Sequence, residues 1–237
     1  MIDINCDMGE GMGNEKELMP FISSANIACG YHAGDAANIK EVINICLDYN
    51  VNVGAHPSFF DRENFGRTTM QLSPQEIYTL VIDQLAIIKT ITLECGAILH
   101  HVKPHGALYN LAAKDMITAA AIANAVKDFD KKLIYFGLSG SVMIKEAAKI
   151  GLQTADEVFA DRTYQVDGSL TPRTQPNALI KDKAAMLHQV MQMINENIVT
   201  TVTGEQIFIK AATICIHGDG EHAVAFAKTI KNELFKN

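Results

Sequence analysis

Seven short apolar runs recur along the chain, each followed by a cluster of polar and small residues and then by a longer amphipathic stretch. That alternation is what most constrains the fold. The runs are Ile2–Cys6, Ser24–Ala28, Val51–Ala55, Ile98–Lys103, Leu133–Gly137, Leu152–Ala160 and Ala212–Ile216. Helical patterns fill the gaps at Ala37–Tyr49, Pro74–Cys95, Lys114–Asp128, Ser141–Ile150, Lys181–Asn197 and Gly220–Phe235. Strands separated by helices pair in parallel, because a parallel neighbour needs a long crossover. An open doubly wound sheet and a closed barrel both satisfy the pattern. Seven strands in 237 residues favour a seven-stranded parallel β/α barrel, distorted from the eight-stranded type, in a single domain over residues 1–237. The clearest helix start is Ser73-Pro74-Gln75-Glu76, where Ser73 caps, Pro74 suits the first turn and Glu76 completes a capping box. Residues 198–210 fit no element of this scheme.

Composition removes several classes of function. With 20 Lys+Arg against 27 Asp+Glu the formal charge is 20 − 27 = −7, so a nucleic-acid partner is not expected. The five cysteines form no CxxC pair, which argues against a disulfide framework or a Cys-rich zinc site and fits the cytoplasm. Neither a basic leader followed by an apolar run nor a membrane-length segment is expected to act here.

The polar clusters fall just after the strands, where parallel α/β folds gather their active-site loops. In the first, Asp3, Asn5 and Asp7 share one face of a strand and Ile2, Ile4 and Cys6 the other, with Met8-Gly9-Glu10-Gly11 beyond. A buried acidic row needs hydrogen bonds, cations or a substrate to offset its desolvation. In the second, His32 lies among small residues and reads as a ligand contact, and Asp35 is placed to cap the next helix. The third sets His56 after a strand and continues to Arg62 and Arg67, which either hold an anion or brace the loop beside Asp61 and Glu63; bracing is the better reading. The fourth, His100-His101-Val102-Lys103-Pro104-His105, turns His101 and Lys103 to one side and His100 to the other. Its His101/His105 spacing mimics a helical zinc pair, but Pro104 breaks any helix there. A lysine at a strand end beside histidines suits anion binding, or proton donation if its pKa is depressed.

The fifth cluster, Glu157 to Arg173, is too long for a connector and reads as a binding loop or lid, with Asp161 and Arg162 as an internal pair. The sixth, His217-Gly218-Asp219-Gly220-Glu221-His222-Ala223, contains a weak Gly-x-Gly-x-x-Ala match whose backbone N–H groups suit a phosphate. No Gly-x-x-x-x-Gly-Lys-Ser/Thr occurs, so a P-loop ATPase is excluded.

Taken together, Asn5-Cys6-Asp7-Met8-Gly9-Glu10, Ser24 to Asp35, Gly54-Ala55-His56-Pro57-Ser58-Phe59, His101 to Gly106 and His217 to His222 resemble the LamB/YcsF family. Cys6 stands where a small residue such as alanine is expected. The resemblance runs from residue 3 to about residue 230. It implies a barrel similar to the glycoside hydrolase/deacetylase superfamily, and the activity of the family's characterised members, A-type subunits of prokaryotic 5-oxoprolinase. That activity is ATP-dependent opening of 5-oxo-L-proline to L-glutamate, performed with two partner subunits of B and C type. ATP, as Mg-ATP, is then a co-substrate.

On that reading Asp7 or Glu10 is the general base for water, and His217 donates a proton to the departing amine. Lys103, His105, Arg62 and the Gly218–Gly220 turn supply donors to phosphate, carboxylate and oxyanion. His32, Asp35, His56, His101 and Tyr109 complete the expected substrate and nucleotide shell from one side of the rim. Asp161, Arg162, Arg173, Asp219 and His222 complete it from the other. Two rival readings remain: a metal-dependent deacetylase-like hydrolase holding a divalent ion on Asp7, His32 and His56, and a non-catalytic lactam-binding subunit.

Overall fold

The computed structural model describes residues 2–218, 220 and 222–235. It begins with strand β1 (Asp3–Met8), a short helix α1 (Glu15–Leu18) running into a 3-10 turn (Met19–Phe21), and β2 (Ser24–Ala28). Next come α2 (Ala36–Tyr49), β3 (Asn52–His56), α3 (Pro74–Glu94), β4 (Leu99–Val102), α4 (Gly106–Ala112), α5 (Met116–Asp130) and β5 (Ile134–Leu138). The chain finishes with α6 (Val142–Lys149), β6 (Gln153–Phe159), α7 (Lys183–Asn195), β7 (Ile198–Thr200), β8 (Gln206–Phe208), β9 (Thr213–Ile216) and α8 (Ala223–Leu234).

Seven strands close a parallel barrel in the order β1-β2-β3-β4-β5-β6-β9, with β9 pairing both β6 and β1. The predicted seven-stranded barrel is therefore the observed one, and every predicted strand exists within a residue or two of its expected ends. Residues 198–210, unplaced by sequence, contain an antiparallel hairpin in which Ile198 opposes Phe208 and Thr200 opposes Gln206. Its three-residue strands are too short to display a period. The helical patterns also omit α4, which has seven residues and opens on a glycine.

The helices dock through apolar faces set by their spacing. On α3, Ile77, Val81, Leu85 and Ile88 recur at intervals of three and four and are all buried, each contributing about 1.5–3 kcal/mol by leaving water. Ser73 and Glu76 form the predicted capping box, while Asp35, Asp115 and Asp182 cap α2, α5 and α7 through backbone N–H groups.

The barrel interior is unusually polar. Asp3 accepts from Ser24 and Thr213, Asn5 donates to Thr213 Oγ1 at 2.7 Å, and Asn26 donates to both Asn5 and Asp7 at 2.8 Å. The ring of His101 crosses this interior, bonded to Asn26 Oδ1 at 2.8 Å and stacked on Phe136. Only glycine fits opposite it, since a Cβ on Gly54 would collide with the His101 ring. Among the described residues, no helix is long and apolar enough to cross a membrane.

Candidate active site

A cavity of about 430 Å³ opens at the C-terminal ends of the strands. Its floor and walls include Asp7, Glu10, His56, Lys103, His105, Tyr109, Phe159, Arg162, Arg173 and His217, and Arg67 also reaches it. Strand alternation explains the floor: Asp7 continues the inward row of Asp3 and Asn5, Lys103 continues that of His101, and Glu157 belongs to the inward row of β6.

At the centre, Lys103 Nζ lies 2.8 Å from Asp7 Oδ1, 3.0 Å from Glu157 Oε1, 3.3 Å from Asn5 Oδ1 and 3.0 Å from Cys215 Sγ. Burial pushes the lysine toward neutrality, but Asp7, the Cys215 sulfur and Glu157 around it outweigh this and raise its pKa well above the ordinary 10.5. Lys103 is thus a fixed cation, and the expected depressed-pKa proton donor does not hold. Burial likewise pushes the Asp7 carboxyl up, while His56 and Lys103 more than reverse this and keep it well below 3.8. Tyr109 donates to Glu157 Oε2 at 2.6 Å, and the Phe159 ring lies 5.5 Å from the ammonium.

On one side of this centre stand His32, His56, His105 and Glu10, each less than a tenth exposed. The His32 and His105 rings stack at 3.9 Å. Burial is the main cause that lowers His32 well below 6.5 and takes His105 down to about 3, with neighbouring imidazoles adding to it. On the other side His217 donates from Nδ1 to the Asp161 carboxylate at 3.0 Å and stacks on Phe159. Burial raises the Asp161 carboxyl, but His217 and then the guanidinium groups of Arg162 and Arg173 hold it below 3.8. A smaller cavity of about 200 Å³ adjoins here, shares Arg173 and His217 with the first, and carries Gly220 and His222 on its wall.

The LamB/YcsF family model matches residues 2–237. The chain belongs to the LamB/YcsF family. It is 53% identical to the A-type 5-oxoprolinase subunit of Shouchella clausii over 98% of this chain and 94% of that protein. The A-type 5-oxoprolinase subunit of Tolumonas auensis is 49% identical over 99% of this chain and 96% of that one. The crystal structure of the lactam utilization protein from Thermus thermophilus superimposes with a TM-score of 0.91 at 39% identity, covering 98% of this chain and 95% of that one.

The LamB/YcsF barrel gathers most of the residues singled out from sequence, and it sets several apart. Arg62 does not line either cavity: its guanidinium donates to the carbonyls of Gly30 and Gly34 at 2.7 and 2.9 Å, bracing a loop. Arg67, by contrast, lines the cavity and lies over the Phe65 ring. Asp35 is engaged as the cap of α2. His101 is fully buried beneath the cavity floor. Arg162 lines the wall but donates to Thr171 and Ala178 carbonyls, tying the 160–182 loop together; burial lowers its pKa to about 10. Gly218 packs against β1, where a Cβ would come 2.7 Å from the Asp7 carbonyl oxygen.

The expected phosphate cradle is reduced, because the Gly220 N–H already donates to the His217 carbonyl; Asp219 lies outside the described residues. Of the expected set Asp7, His32 and His56, the two histidines group with Glu10 and His105, while Asp7 groups with Cys215 and His217. Asp7 Oδ2 sits 3.4 Å from His56 Nε2, but its Oδ1 is held by Lys103 and Asn26. Sequence reasoning misses Glu157 and Cys215, although strand alternation places both within reach of Lys103.

Proposed function

We propose that this chain is the barrel subunit of an ATP-dependent 5-oxoprolinase, opening 5-oxo-L-proline to L-glutamate together with two partner subunits. The observation that carries the reading is the meeting, in one cavity of a LamB/YcsF member, of a lysine-held carboxylate and a carboxylate-held histidine. A lactam is a poor electrophile, and phosphoryl transfer from ATP to its oxygen makes the ring carbon attackable. Water adds, the ring C–N bond breaks to leave an acyl phosphate and a free amine, and a second water releases phosphate. The balance is one ATP and two waters consumed for one glutamate, one ADP and one phosphate.

Asp7 stays ionised across the working pH range and accepts the proton of the attacking water. His217, oriented by Asp161, returns a proton to the departing ring nitrogen. Lys103 keeps Asp7 charged and in place rather than binding phosphate, since two carboxylates already surround it. Arg67 and Arg173 on the walls are the cations placed for the substrate carboxylate and the phosphoryl oxygens.

The test is glutamate and phosphate release from 5-oxoproline and ATP by the purified chain, alone and with both partner subunits. Equimolar products with all three present are expected. No glutamate from the full set overturns the assignment, and full turnover by this chain alone removes the partners from it.

A further inference from the structure

The side chains of Glu10, His32, His56 and His105 crowd together with one nitrogen or oxygen atom of each within 4.8 Å of the others, and the His32 ring stacks face to face on that of His105. His56 Nδ1 faces the Lys103 carbonyl at 2.7 Å, and a carbonyl only accepts, so Nδ1 carries a hydrogen and, in the neutral ring, Nε2 holds the lone pair, 3.4 Å from Asp7 Oδ2. His105 Nε2 faces the Phe65 carbonyl at 2.9 Å, which leaves the lone pair on Nδ1. These two lone pairs, His105 Nδ1 and His56 Nε2, meet at 2.9 Å.

The same count applies to His32. The one hydroxyl hydrogen of Ser58 goes to the Phe59 carbonyl, so Ser58 Oγ accepts from His32 Nδ1 at 2.9 Å. His32 Nε2 then presents a lone pair to Glu10 Oε1 at 3.0 Å. Two acceptor–acceptor contacts thus lie side by side in a buried place, where an unanswered polar contact is costly.

We propose that Glu10, His56 and His105 bind one divalent transition-metal ion of the zinc type, with the His32 ring stacked beside them against His105. A tetrahedral site with metal–nitrogen bonds of 2.0–2.1 Å has ligand-to-ligand edges of about 3.3–3.4 Å. The three edges among Glu10 Oε1, His56 Nε2 and His105 Nδ1 are 2.9, 3.4 and 3.9 Å. Two imidazoles and a carboxylate suit zinc, cobalt or ferrous iron and not magnesium, which prefers an all-oxygen shell. Each of these two imidazoles has its second nitrogen bonded to a backbone carbonyl, the outer support that fixes a metal-binding tautomer. A bound ion would supply Lewis acidity on the wall of the large cavity, which Glu10, His56 and His105 line.

The site stands apart from the lactam reading, because metal content is measured without turnover. Untagged full-length protein, stripped with a chelator, is dialysed against zinc or cobalt and assayed by elemental mass spectrometry and visible absorption. One ion per chain and the intense d–d bands of four-coordinate cobalt are expected. His56→Ala and His105→Ala lose the ion, His188→Ala keeps it, and melting curves report whether each variant folds. Should the histidine variants fail to fold, nitrogen-15 spectra of the wild-type chain decide: addition of zinc must shift the inward imidazole nitrogens. Absence of bound ion with imidazolium signals at those nitrogens overturns the proposal in favour of two trapped protons, and an ion retained by both folded variants overturns the ligand assignment.

Discussion

The two halves of the cavity floor use similar side chains to opposite ends. Around Lys103, a buried cation sits among Asp7, Glu157 and Asn5, and the charges of the group answer one another. Around His56, three imidazoles and Glu10 crowd together, with His56 Nδ1 and His105 Nε2 each turned to a backbone carbonyl. The first cluster contains its own cation, one ammonium against two carboxylates, and fixes the state of Asp7. The second is complete only around something positive. Completeness, more than the identity of the residues, separates a positioning cluster from a binding one.

Four changes would break or sharpen that contrast. The largest effect is expected from Asp7→Asn, which removes the water's proton acceptor without altering shape. Turnover in the reconstituted complex falls about 10²–10⁴-fold while circular dichroism shows the barrel still folded, and a rate near wild type would move the acceptor role elsewhere. Lys103→Met comes next. It strands two buried carboxylates, so denaturant unfolding should show a loss of about 3–5 kcal/mol. Adding Glu157→Gln to it should recover part of that loss, which it would not do if the lysine acted only by packing.

The third change is pH. Asp7 has a folded pKa well below its unfolded value near 3.8, so its contribution is present above about pH 4 and is lost as pH falls toward the folded value. Lys103 has a folded pKa well above 10.5, so its contribution is present below that pH and is lost as pH rises through the folded value. A stability plateau between those limits is expected in urea titrations. Lys103→Met should flatten its acid edge, and an unchanged edge would mean that Asp7 and Lys103 are not coupled.

The smallest effects contrast two arginines. Loss of charge-assisted hydrogen bonds worth about 1.5–3 kcal/mol in Arg67→Ala raises the KM for 5-oxoproline roughly 10-fold or more, with kcat nearly unchanged. Arg62→Ala leaves KM alone and lowers stability by about 1 kcal/mol. Equal effects on KM would restore Arg62 to the site.

Most of the fold is legible in the sequence because alternation of apolar runs and amphipathic stretches reports directly on burial. The pattern places Ser24–Ala28 to the residue, and the Ser73 box marks the start of α3. It does not reveal the hairpin at 198–208, whose three-residue strands are too short to display a period. Within the site, residues next to glycine and proline at strand ends stand out readily. The arginines are harder: Arg62 and Arg67 are five positions apart in one loop, and only the path of that loop decides which one meets a carbonyl and which the cavity. Glu157 escapes selection for the opposite reason. It lies within a strand rather than after one, and its partner Lys103 is remote in sequence.

Closure of the barrel through β1 and β9 has a consequence for how the protein is made. Asn5 is joined to Thr213 across 208 positions, and Asp3 and Asn5 find their full set of partners only when the last strand arrives. At a synthesis rate of about 5–20 residues per second, the polar row of the first strand waits roughly 10–40 s for its neighbour. During that interval the growing chain is an open sheet with two unpaired edges, and the edge it must protect longest belongs to the strand that carries Asp7.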